Sequence, residues 1–278
     1  MRLGISNIAW DVPEDAAVLA LLRDHGIDAI DIAPGKYFPE PRSATEADML
    51  KVRRWWSERG IEITGMQALL FGKPGLNVFG SNESRQALSE HLGAVCRIGG
   101  VLGATRLVFG SPRNRDRTGL TDADALDVAL EFFQGLGDKA AQEGVIICLE
   151  PNPARYGANF MTTSEETASV VRALGHPAIR MQLDLGAVVI NNENPEAVVA
   201  ECASLIGHVH ASEPDLAPLG SRGTDHRRMA DVLREHLADS MVCIEMVATA
   251  DESHLESIGR ALKVAVENYR RERAGGAL

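Results

Sequence analysis

Eight short apolar segments recur along this chain, at residues 2–6 (RLGIS), 28–32 (DAIDI), 61–66 (IEITGM), 105–109 (TRLVF), 145–149 (VIICL), 179–183 (IRMQL), 206–210 (IGHVH) and 241–245 (MVCIE). Each is of strand length and rich in Ile, Val or Leu. Their spacing averages roughly 35 residues, the length of one strand followed by one helix. The intervals read as helices. Capping signatures open several of them, at Asp11-x-x-Glu14, Thr163-x-x-Glu166 and Thr249-x-x-Glu252, and Asn194-Pro195 sets a cap before a first-turn proline. Gly26, Gly60 and Gly144 stand where helices should end, just before the next apolar segment. Between 125 and 143, apolar residues return every three or four positions, as an amphipathic helix requires.

Eight such alternations predict an α/β chain closed into a (β/α)8 barrel, a single domain over 1–278 whose C-terminal tail frays from about residue 271. The competing open, doubly wound sheet would carry a Gly-rich phosphate loop after its first strand. Residues 4–11 (GISNIAWD) carry none. The formal net charge of -11 argues against nucleic acid as a partner, because phosphate binding needs clustered Lys and Arg. No run approaches the roughly 18 apolar residues of a membrane helix, and the N-terminus lacks the apolar core of a signal peptide. Cys96, Cys148, Cys202 and Cys243 form no CxxC pair; Cys148 and Cys243 fall inside core strands. They read as small apolar residues in a reducing compartment, so a cytoplasmic location is expected.

Active sites of such barrels gather at the C-terminal ends of the strands. Here the fifth strand runs into Glu150, the sixth into Asp184, the seventh ends in His210 and the eighth in Glu245. A single polar residue in such a place is most often a cap or a loop hydrogen-bonder. Four in succession are harder to explain that way, since close carboxylates repel unless a cation neutralises them. Three carboxylates and one imidazole suit one Mn²⁺ or Mg²⁺, with Zn²⁺, Co²⁺ or Fe²⁺ as alternatives. His208 faces the same side as His210 one layer deeper, either as packed core or as a partner of the ligand set.

With these residues in place, and with LEPNP, LDLG and HVHASEP around them, the chain resembles the xylose-isomerase-like TIM-barrel superfamily of sugar-phosphate isomerases and epimerases. The resemblance covers nearly the whole length. It implies one divalent ion held by Glu150, Asp184, His210 and Glu245, with Glu150 and Glu245 also serving as acid and base on opposite faces of a small carbohydrate. The expected activity is isomerisation or epimerisation of a small sugar, keto-sugar or sugar phosphate, by proton abstraction beside a carbonyl through a metal-stabilised enediolate. Two departures stand out. Relatives often carry a histidine where this chain has Ala187, and an arginine where it offers Asp215-Leu216.

Other positions complete the expected site. Arg113 and Arg115, with Arg117, follow the fourth strand and could grip an anionic substrate; a solvated surface loop is the plainer reading. Asn7 and Trp10 follow the first strand, Gln67 the third and Asn152 the fifth, all candidates for substrate contact. Trp10 reads equally well as core. His226 is a candidate replacement for the missing histidine, or a helix cap. Leu70, Phe71 and Phe79 would form an exposed apolar lid or an oligomer contact, and a dimer or tetramer is compatible with either. Three other functions compete. A dehydratase of the same fold would use the same first proton step. A non-catalytic binding protein would keep barrel and metal. A DNA-repair nuclease would need more histidines and a basic face.

Overall fold

The computed structural model describes residues 1–270. Its eight strands are β1 (Arg2–Ser6), β2 (Ala29–Ile32), β3 (Glu62–Met66), β4 (Arg106–Phe109), β5 (Ile146–Leu149), β6 (Ile179–Asp184), β7 (Ile206–Ser212) and β8 (Met241–Glu245). They close into one barrel in chain order, and β8 pairs back onto β1 in parallel, Arg2 opposite Met241 and Ile5 opposite Ile244. Parallel neighbours cannot be joined by tight hairpins, so each crossover needs a helix. The helices are α1 (Asp15–Asp24), α2 (Pro34–Tyr37), α3 (Glu46–Ser57), α4 (Asn82–Leu102), α5 (Asp122–Gln142), α6 (Ser164–Leu174), α7 (Leu185–Ile190), α8 (Pro195–Cys202), α9 (His226–His236) and α10 (His254–Tyr269). The fold is the (β/α)8 barrel that the sequence predicts. The tail expected to fray lies outside the described residues. Among the described residues, no helix is long and apolar enough to cross a membrane.

Because helices cover the sheet, the strands are buried on both faces and read as near-continuous apolar runs. One hydrophobic cluster extends from Leu3 to Tyr269. Phe109 of β4 meets Phe133 of α5 edge-on at 5.3 Å, a pairing typically worth about 0.5–1.5 kcal/mol beyond its area. All four cysteines are free and buried.

Capping follows the sequence in most places. Thr163 accepts from the Glu166 backbone at the start of α6, and Asn194 from Ala197 at the start of α8. Gly26, Gly60 and Gly144 all adopt positive φ. The Thr249 expectation is corrected: α10 begins after Ser253, whose hydroxyl accepts from Glu256 N at 3.3 Å. Both sites have a hydroxyl residue followed three positions later by Glu. Only Ser253 stands immediately before the run of apolar residues that packs on the barrel.

Candidate metal centre

Glu150, Asp184, His210 and Glu245 converge although they come from four strands. One potential ligand atom from each lies within 4.8 Å of the others. Register explains the convergence. Asp184 stands opposite His210 across β6 and β7, and Glu245 stands opposite Ser212 across β7 and β8. A register shift between Met181 and Gln182 adjusts β6 just below Asp184, the kind of irregularity that re-aims a side chain.

The geometry around His210 fits a cation. Its Nδ1 lies 3.2 Å from Glu245 Oε2 and 3.5 Å from Glu150 Oε1. Both His210 Nδ1 and Glu150 Oε1 are buried without a hydrogen-bond partner. Buried polar atoms are normally satisfied, and a divalent ion would satisfy this pair. Burial, then the charges of Glu245 and Glu150, push Asp184 well above the usual carboxylate range. Burial also raises Glu245, but His210, Asp184 and Gln67 outweigh it and hold that carboxyl low. For His210, burial lowers the imidazole, while Glu245, Asp31 and Glu150 together raise it well above its ordinary value. Three carboxylates and an imidazole this close together form a group that could hold a hard divalent ion.

Each of these side chains is held from behind. Asp184 caps α7: its Oδ1 accepts from Ala187 N at 2.5 Å, and its Oδ2 accepts from Ser212 Oγ at 3.0 Å. Gln67 Nε2 donates to Glu245 Oε1 at 2.8 Å, and Asn152 Nδ2 donates to Glu150 Oε2 at 3.2 Å. Gly110 leaves room for Glu150, since a Cβ there would stand 1.9 Å from Glu150 Oε2. Under His210 lies a buried Asp–His pair. His208 Nε2 bonds Asp31 Oδ2 at 2.6 Å, and the same oxygen lies 3.9 Å from His210 Nε2. Thr64 Oγ1 donates to Asp31 Oδ1 at 3.0 Å. His208 is thus the partner of Asp31 beneath the ligand set.

Several candidate contacts go elsewhere. Arg115 is fully buried; its Nη1 donates to the Glu150 carbonyl at 2.7 Å and its Nη2 to Asn152 Oδ1 at 2.5 Å. Burial, only partly opposed by Glu150 and Glu166, pulls its pKa down to about 10. Arg113 is exposed and lines neither lobe of the cavity described below. Arg117 is tied to Asn159 and Asp122. The three arginines therefore do not form an anion grip; loop packing turned them in different directions. Trp10 is core, donating to Asp15 Oδ1 at 2.8 Å, and Asn7 Oδ1 accepts from Ala33 N at 2.7 Å. Neither lines the cavity. His226 bonds Glu213 Oε1 at 3.1 Å and Tyr269 Oη at 2.6 Å, so it braces the loop after β7 and does not join the ligand set. Of the apolar loop residues, Phe71 is 87% exposed, Leu70 is buried and Phe79 packs on Phe160 at 5.0 Å.

The sequence reading passed over Asp31, Ser212, Glu213 and Tyr156. Asp31 left a signal, an acid inside an otherwise apolar strand. Ser212 left another, two residues beyond His210 on the same strand face.

The ligand set opens into a cavity with two lobes. One, of 430 Å³, runs past Asn152, Tyr156, Asp184, Ala187, Glu213 and Asp215. The other, of 720 Å³, runs past Ile8, Gln67, Leu70, Phe71, Val108 and Val247. Glu150, Glu245, Gly110 and Leu216 border both. Leu216 and Asp215 hold left-handed backbone at φ 52° and 64°, a strained geometry that a packed loop must enforce.

Comparison with known proteins agrees with this fold. A family model described as xylose isomerase-like TIM barrel matches residues 19–265. A human protein named "Putative hydroxypyruvate isomerase" is 26% identical over 226 residues, covering 75% of each chain. In fold, the chain is similar to D-psicose 3-epimerase from Clostridium cellulolyticum H10, with a TM-score of 0.80 at 17% identity, over 98% of this chain and 100% of that one. It is also similar to the IOLI protein solved with a bound zinc atom, with a TM-score of 0.72 at 17% identity, over 97% and 98% of the two chains.

Proposed function

We propose that this chain, which belongs to the xylose isomerase-like TIM-barrel family, is a divalent-metal-dependent isomerase or epimerase of a small neutral keto-sugar. The observation that carries the reading is the buried set of four ligand atoms within 4.8 Å, with Glu150 Oε1 and His210 Nδ1 unpartnered. Glu150, Asp184, His210 and Glu245 would hold the ion. When bound, the ion supplies Lewis-acid polarisation of a carbonyl and lowers the cost of charge developing beside it. Names of relatives and neighbours support the reaction class: an isomerase in sequence and a ketose epimerase in fold.

The chain's own residues then do the proton work. Glu150 and Glu245 leave β5 and β8 and flank His210 Nδ1 from two sides. One carboxylate removes a proton from the carbon beside the carbonyl, and the other delivers one to the opposite face. Asn152 and Gln67 each occupy one oxygen of their glutamate, which fixes its orientation and leaves the other oxygen beside His210 Nδ1. Ser212 and the α7 backbone fix the orientation of Asp184 by donating to both its oxygens. A neutral substrate is favoured because, among the described residues, no Lys or Arg lines the 430 Å³ lobe, which instead carries Glu213 and Asp215.

Solvent exchange tests the proposal. Protein loaded with Mn²⁺ should transfer deuterium from D₂O into the carbon beside the carbonyl of a neutral ketose. Glu150→Gln and Glu245→Gln should each lower the rate by about 10²–10⁴-fold. Turnover without exchange would point to hydride transfer, and loss of water from the product would assign a lyase.

A further inference from the structure

We infer that the larger lobe is a subsite for an apolar substituent, so that the preferred substrate is a neutral α-hydroxyketone bearing a hydrophobic tail. The inference rests on the site proposed above and names its substrate class. The two lobes share the ligand set but differ in chemistry. The 430 Å³ lobe presents Asn152, Tyr156, Glu213 and Asp215, groups suited to hydroxyls. The 720 Å³ lobe is walled by Ile8, Leu70, Phe71, Val108, Leu216 and Val247.

Among the polar side chains that reach the larger lobe, Lys36, Lys73, Ser111 and Gln67 each already hold a partner, while Gln67 Oε1 and Glu150 Oε1 remain without one. Lys36 Nζ donates to Asn7 O at 2.9 Å and to Trp10 O, and Lys73 faces Glu40 at 3.4 Å. Ser111 Oγ bonds Asn114 Oδ1 at 2.5 Å, and Gln67 Nε2 holds Glu245. A chain of sugar hydroxyls entering there would lose more hydrogen bonds to water than these two acceptors could replace, which costs free energy. An alkyl or aryl tail would gain by burial against the same walls.

Continuity with the reacting centre argues for a substrate tail as the occupant. Glu150 and Glu245 border the lobe directly, so a group placed there is a few bonds from the carbon that exchanges its proton. Size agrees as well. A lobe of 720 Å³ beside one of 430 Å³ exceeds what a single small sugar fills. Phe71, 87% exposed at the rim, gains a ring to cover once a tail is bound.

The test compares L-erythrulose, hydroxylated throughout, with 1-hydroxy-4-phenylbutan-2-one, which has the same reactive head and an aryl tail. Calorimetric titration into Mn²⁺-loaded protein should give at least about tenfold tighter binding of the aryl ketone. In Phe71→Ala and Val247→Asn, both at solvent-accessible positions, that ratio should fall several-fold. Equal affinity for the two ketones overturns the inference. So does a ratio that survives both substitutions, including the case where Phe71→Ala changes only the molar mass seen by light scattering. Deuterium exchange separates the two readings. Exchange into erythrulose with no aryl preference leaves the isomerase and removes the subsite. Aryl preference with no exchange into either ketone keeps the subsite and removes the isomerase.

Discussion

Arg115 donates from Nη1 to the carbonyl oxygen of Glu150 at 2.7 Å, from a position with no exposure to solvent. Its other terminal nitrogen holds Asn152, and Asn152 holds the Glu150 carboxylate. The guanidinium therefore builds the wall behind Glu150 and is closed off from the cavity. Arg115→Ala should cost about 2–4 kcal/mol of stability, because two buried acceptors lose their donor. Arg113→Ala, at an exposed position, should change stability by less than about 0.5 kcal/mol. Urea denaturation checks both. A wild-type midpoint for Arg115→Ala, with a raised KM for anionic substrates alone, would restore the substrate-gripping role.

Metal loading should be visible as stability. An ion that binds the folded chain alone stabilises it by about 2.7 kcal/mol at a hundredfold excess over Kd. Adding Mn²⁺ to EDTA-treated protein should therefore raise Tm by several degrees. Asp184→Ala and His210→Ala should abolish the rise. An unchanged Tm on Mn²⁺ addition to the parent protein, with no ion found by elemental analysis, would remove the metal centre.

Asp31 should matter to that ion without touching it. It pairs with His208 and lies 3.9 Å from His210 Nε2, where its negative charge would make the imidazole a stronger donor to a cation. Asp31→Asn should weaken Mn²⁺ affinity by about 10–100-fold, the usual effect of losing a partner behind a metal-bound histidine. Competition against a fluorescent chelator reads this directly. Unchanged affinity in a folded variant would reduce Asp31 and His208 to core packing.

The loop after β7 should be acid-sensitive. Burial raises the Glu213 carboxyl, but hydrogen bonds from His226, Thr224 and Gly220 outweigh burial and hold its pKa below the ordinary 4.5. A depressed carboxyl contributes stability that is present above its unfolded value and lost as pH falls through its folded value. Glu213→Gln should thus be less stable than the parent from about pH 6 to about pH 5, with the gap closing toward about pH 3. Urea midpoints across that range decide it. A constant gap would show that charge on Glu213 is not what holds the loop.

The sequence by itself determined the barrel and the residue types at its mouth. Strands buried on both faces had to be apolar, helices had to cover them, and eight repeats of that pattern leave few closures other than a ring. At the ends of such strands, Glu150, Asp184, His210 and Glu245 stand out against mostly apolar runs. Loops carry no such periodicity, so the fates of Arg113, Arg115, Trp10 and His226 were not legible. All four are polar or amphipathic residues near strand ends, and the same side chain can line a cavity, brace a wall or point to solvent. Only tertiary packing chose: Arg115 turned inward because Asn152 and the Glu150 carbonyl, distant in sequence, needed a donor, and His226 turned away because Glu213 and Tyr269 enclosed it. Strand pairing likewise brought Asp31 under His210 from the far side of the barrel, a contact between residues 179 positions apart that no local pattern encodes.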